Sequence, residues 1–114
     1  IFYYSLSNKV RLMKKYILRY LPLAKQDLDD IITYIQNNLQ NPIAAENTLS
    51  KIESAILERL DNLEDFAIWS SKKQRPYPYR RINVGNYTVW YVVIDNVMEV
   101  RRILYSRRNE ENLI

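Results

Sequence analysis

A chain of 114 residues, 47% hydrophobic and 26% charged, has the size and composition of one folded domain that needs no covalent staple. It contains no cysteine and no histidine. That excludes disulfides and thiolate chemistry, and it removes the commonest general base and the commonest metal ligand together. No metal and no cofactor is expected, and any chemistry must use Arg, Lys, Tyr, Asp, Glu or Ser.

The formal charge of +4 is unevenly spread. Nine basic residues lie between Lys72 and Arg108 (Lys72, Lys73, Arg75, Arg80, Arg81, Arg101, Arg102, Arg107 and Arg108), against two acids, Asp95 and Glu99. The first 71 residues are nearly neutral, with eight basic and nine acidic side chains. A basic half points to an acidic partner, either nucleic acid or an acidic protein segment, against the plainer reading of a solvated face. No stretch approaches the roughly 18 apolar residues of a membrane span, and the predicted location is the cytoplasm. Residues 1–12 precede Met13-Lys14-Lys15 and read as an upstream extension that adds nothing to function, leaving 13–114 as one domain.

In chain order, Tyr16–Leu21 is short, β-branched and aromatic and predicts a strand. Pro22 suits the first turn of a helix, and Leu28, Ile31, Ile32, Ile35 and Leu39 recur at helical spacing to form its apolar face. Asp27, Asp29 and Asp30 are read as dipole and solvent residues of its first half. Asn41-Pro42 breaks the pattern, with Asn41 able to cap a second helix and Pro42 to occupy its first position. Ala45, Leu49, Ile52, Ile56, Leu60 and Leu63 form its buried stripe. So short a link predicts a helical hairpin. Phe66–Pro78 is a polar, basic loop. The period then changes to two, with strands expected over Tyr79–Val84, Tyr87–Ile94 and Val97–Tyr105. Turns at Gly85-Asn86 and Asp95-Asn96 join them into a meander. The predicted fold is α+β, ordered β-α-α-β-β-β, with a helical hairpin packed on a twisted antiparallel sheet. Arg101 and Arg102 alternate faces, so one is expected in an ion pair with Asp27, Asp30 or Glu99 and the other on the basic surface.

Three segments carry a resemblance: Leu21-Pro22-Leu23-Ala24-Lys25-Gln26-Asp27-Leu28; Asn41-Pro42-Ile43-Ala44-Ala45; and Tyr79-Arg80-Arg81-Ile82 through Gly85-Asn86-Tyr87-Thr88-Val89-Trp90-Tyr91 to Arg102-Ile103-Leu104-Tyr105-Ser106-Arg107-Arg108-Asn109. In order and spacing the chain resembles the RelE/ParE toxins, in the variety often labelled plasmid stabilisation proteins. The resemblance covers about Tyr16 to Asn109. It implies the toxin of a type II toxin–antitoxin pair, which inhibits growth and is held inactive by a cognate antitoxin protein. RelE-like members cut messenger RNA on the ribosome without a metal; ParE-like members inhibit DNA gyrase without catalysis. A third reading is a domain that binds an antitoxin and has lost activity; messenger-RNA cleavage is placed first, for the basic-aromatic strand face, with the other two as alternatives.

For cleavage, the resemblance implies Arg80, Arg81, Tyr87, Arg107 and Arg108 as the site. Arginines would stabilise charge and Tyr87 would move a proton. Lys72, Lys73, Arg75, Tyr91, Arg101 and Tyr105 are the expected contacts to nucleic acid or antitoxin. Tyr87, Trp90 and Tyr91 also read more simply as sheet packing. One departure counts against cleavage: nuclease members usually place an arginine directly after the residue at position 87, where this chain has Thr88. A missing phosphate clamp removes on the order of 3 kcal/mol of transition-state stabilisation.

Overall fold

Two proline-started helices pack on one face of a five-stranded sheet in a computed structural model that describes residues 2–5, 16–62 and 76–107. The strands are β1 (Phe2–Ser5), β2 (Ile17–Tyr20), β3 (Arg80–Val84), β4 (Tyr87–Ile94) and β5 (Val97–Tyr105); the helices are α1 (Pro22–Thr33) and α2 (Pro42–Arg59). The expected α+β order is present, with β1 added before it. The strands lie side by side in the order β1-β2-β5-β4-β3.

The sheet is mixed rather than antiparallel throughout. β3, β4 and β5 form the expected antiparallel meander, but β2 runs parallel to β5, with Ile17 opposite Val97 and Tyr20 opposite Val100. In a three-strand meander the first and last strands share a direction. Whether that direction matches β2 depends on where the chain re-enters the sheet after the helices, which local periodicity does not encode.

Both helix starts follow their local sequences. Pro22 and Pro42 occupy first-turn positions, where the missing N–H leaves nothing unsatisfied. The Ala44 N–H donates to the Asn41 side chain at 3.0 Å, which caps α2. The end of α1 differs from expectation. After Thr33 the helix widens into a π-helical turn over Tyr34–Asn38, the Leu39 N–H reaches back to the Tyr34 carbonyl at 3.2 Å, and Gln40 takes a positive φ of 50°. A wider turn shifts the phase of the apolar stripe. Leu39, expected on the buried face, is therefore 56% exposed, whereas Ile35 stays buried.

The main core lies between helices and sheet. It contains Leu18 and Tyr20 of β2, Ala24 and Leu28 of α1, Ile52 and Ile56 of α2, Val89 and Tyr91 of β4, and Met98, Val100 and Ile103 of β5. Each fully buried aliphatic side chain contributes about 1.5–3 kcal/mol of transfer free energy. A second, smaller cluster occupies the opposite face: Tyr79, Trp90, Val92 and Leu104. β4 thus presents apolar residues to both faces, which explains why its sequence is almost continuously hydrophobic.

A β-bulge in β5 decides the fate of its arginine pair. Trp90 pairs with Arg102 while Tyr91 pairs with Val100, so Arg101 is the extra residue. Strict alternation would send Val100 and Ile103 to opposite faces; the bulge puts both in the main core. Sequence reasoning expected one ion-paired arginine, and the structure pairs both. Arg102 donates to Asp27 of α1 through Nε at 2.7 Å and Nη2 at 3.0 Å, and the Ile103 N–H donates to the same carboxylate at 3.0 Å. Asp27 thereby ties α1 to the backbone beside the bulge. Arg101 sits 2.6 Å from Glu99, whose other oxygen pairs with Arg19 of β2. Among the described residues no helix is long and apolar enough to cross a membrane.

Candidate functional site

The residues expected to form one site are divided between the two ends of the β3–β4 ladder. Arg80 and Arg81 pair with Tyr91 and Trp90 at one end, whereas Tyr87 pairs with Val84 at the other and, across β4, with Tyr105. Four strand positions separate Tyr87 from Tyr91, roughly 13 Å at the usual rise per residue. Lys72, Lys73, Arg75 and Arg108 lie outside the described residues.

At the arginine end, Ile82 belongs to the helix-side core, so alternation puts Arg80 on that side and Arg81 on the outer face. The Arg81 guanidinium lies over the Trp90 ring, 5.8 Å from its centroid, in cation–π range. Tyr91, expected to contact a ligand, is completely buried in the main core. Arg59, in the last turn of α2, donates to the Tyr91 hydroxyl at 3.0 Å and to the Arg81 carbonyl at 3.1 Å, and its guanidinium lies 5.8 Å from the Tyr91 ring. Arg59 was not among the residues singled out from sequence. Its signal was there: it lies three positions after Ile56 and so near the buried stripe of α2.

The opposite end is an aromatic cluster. Tyr87 is half-buried and meets Tyr105 edge to face, with ring centres 5.9 Å apart and planes at 72°. Burial, then the neighbouring Tyr105 and Tyr34 hydroxyls, push the Tyr87 phenol above its ordinary value. It stays protonated at neutral pH and is a poor base there. Tyr87 also lines a groove of about 190 Å³ with Thr48, Lys51, Asn86 and the Gly85 turn. Lys51, one position before the buried Ile52, is another residue the sequence did not single out. Gly85 has a φ of +58°, which a residue without Cβ adopts at no steric cost.

Beside this cluster, Thr88 is closed off. It is 2% exposed; its hydroxyl donates to the Asn83 side-chain oxygen at 3.2 Å and shares a hydrogen bond with the Ser106 hydroxyl at 2.9 Å. The Ser106 N–H donates to the Asn86 carbonyl at 2.8 Å, which fixes the end of β5 against the β3–β4 turn. Arg107 follows, exposed. Position 88 is therefore a structural joint in this chain. Among the described residues no cluster of His, Cys, Asp or Glu could hold a metal ion.

Residues 18–110 match the family model described as the ParE toxin of type II toxin–antitoxin systems, parDE. The chain belongs to this family. The toxin is also similar to a chain of the chromosomal ParDE system from P. aeruginosa, with a TM-score of 0.58, 18% identity, and coverage of 75% of this chain and 90% of that one. A looser similarity relates it to the RelB–RelE antitoxin–toxin complex from Methanococcus jannaschii, with a TM-score of 0.41, 23% identity, and coverage of 76% and 88%. No curated protein sequence matches it. Membership of the RelE/ParE toxins, the α+β fold and the role as the toxin of a type II pair agree with the reading from sequence.

Proposed function

We propose that this ParE-family toxin works by holding a protein target, DNA gyrase, in the cytoplasm, without cutting RNA, and that a cognate antitoxin neutralises it through the toxin's basic surface. The observation that carries this reading is Thr88. Where a nuclease of the resembled kind would present an arginine to phosphate, this toxin buries a hydroxyl bonded to Asn83 and Ser106. Two further observations support it. Tyr87 lies three to four strand positions from the partners of the arginine pair, and Arg81 is on the opposite face of the sheet from it. Tyr87, expected to move a proton, keeps its own more firmly than an ordinary tyrosine and is a poor base.

Ribosome-dependent cleavage of messenger RNA is the second reading. It draws on the groove in which Lys51 and Tyr87 stand together, beside the turn that carries Arg107.

Induction of the toxin in growing cells without its antitoxin separates the two. Gyrase inhibition predicts a DNA-damage response while amino-acid incorporation continues at first. Incorporation that stops within minutes, with cut messenger RNA, would overturn the proposal. Purified toxin should also inhibit DNA supercoiling by gyrase.

A further inference from the structure

The two edges of the sheet are protected in different ways. An edge strand exposes unpaired N–H and C=O groups and recruits other strands unless charge, shortness or a cover prevents it. One edge is β3, which carries Arg80 and Arg81. At the other side the family match begins at residue 18, and within the matched residues β2 is the outermost strand. β2 also has a charge, Arg19, but Glu99 takes it up: Arg19 and Arg101 share that buried carboxylate. Arg19 is thereby held against that carboxylate, at 22% exposure, rather than projecting freely from the edge. The remaining β2 residues, Ile17, Leu18 and Tyr20, are uncharged strand formers.

β1 lies on this edge. Phe2–Ser5 pairs antiparallel with β2 in an unbroken register, from Phe2 opposite Tyr20 to Ser5 opposite Ile17. The β2 edge therefore accepts an antiparallel neighbour. A second copy of β2 is such a neighbour, because an antiparallel pair about a two-fold axis is self-complementary and each Arg19 brings its own Glu99.

We propose that β1 is an edge guard: it occupies the β2 edge and prevents two copies of this chain from joining β2 to β2 into a continuous sheet. On this proposal, part of the segment read from sequence as an extension that adds nothing to function acts at the sheet edge. The inference does not depend on which target the toxin attacks.

The test uses the full chain carrying Tyr3→Pro or Tyr4→Pro. Proline removes a strand N–H, and adjacent positions alternate in the direction of that N–H, so one of the two faces β2. The effective variant should gain one step of self-association across a concentration series in light scattering. Adding Ile17→Lys to it should restore the wild-type state, since a free charge on the edge opposes strand pairing. Under dissociating dilution, β2 amide exchange should rise on the order of tenfold over wild type. Four results would overturn the proposal: no change in either exchange or association; faster exchange with no association; association that Ile17→Lys leaves unchanged; and failure of both proline variants to fold, which would make β1 part of the core architecture.

Discussion

The two ends of the β3–β4 ladder are built from the same residue types and do different work. At the Tyr91 end two arginine–aromatic pairs sit on opposite faces. Arg59 is bonded to the Tyr91 hydroxyl on the helix side, Arg81 lies over Trp90 on the outer face, and both rings are fully buried. At the Tyr87 end the aromatic residues Tyr87 and Tyr105 keep part of their surface in solvent and line open space. Tyrosine and arginine on a strand are therefore ambiguous by themselves. A ring in the middle of the sheet becomes core on either face, and one at the strand's rim beside a turn keeps part of its surface in solvent.

The contrast predicts a gradient of effects along one strand. The largest belongs to the closed end: Trp90→Ala should lose about 3–5 kcal/mol of stability in urea unfolding, because it empties a filled site on the outer face. Asp27→Ala comes next. It strips Arg102 and the Ile103 N–H of their shared acceptor in a mostly buried setting and should lose about 3 kcal/mol, with hydrogen exchange rising at the α1–β5 junction. Tyr91→Phe removes only the hydroxyl that Arg59 bonds and should lose about 1.5 kcal/mol, while growth inhibition stays at the wild-type level. If instead that variant were stable but harmless in cells, Tyr91 would be a target contact, contrary to its burial.

The open end should show the reverse pattern. Tyr105→Ala should shift stability by no more than about 1 kcal/mol, yet reduce growth inhibition if this rim meets the target. Unchanged toxicity there would move the binding surface elsewhere. The smallest effect concerns pH. The Tyr87 phenol holds its proton more strongly in the folded chain than its ordinary value of 10.0 allows. Its contribution to stability is complete below that value and is lost as pH rises through the higher folded value. Alkaline unfolding should therefore begin at higher pH in Tyr87→Phe than in wild type, by an amount that thermal melts above pH 10 can read.

Several elements were legible because their signals are local. Pro22, the Asn41-Pro42 cap and the turns at Gly85 and Asp95 each act within a few residues, and the structure places them as the pattern implied. The site was less legible. Sequence proximity suggested a single group of Arg80, Arg81, Tyr87 and Arg107, whereas strand register sets the two arginines apart from Tyr87. Arg59 and Lys51 went unnoticed because a cation near a helix's apolar stripe has the same pattern as one in solvent.

Sequence alone determined the composition limits, the order of elements, the helix starts, the apolar faces and the family, since each follows from residue type and short-range spacing. Tertiary structure decided the rest. It set the parallel pairing of β2 with β5, the bulge that returns Ile103 to the core, the pairing of both Arg101 and Arg102 with acids, the closing of Thr88 onto Ser106, and the place of β1 at the edge. All of these depend on contacts between residues far apart in the chain. Their free energy exists only once the strands are side by side, so no local pattern carries them.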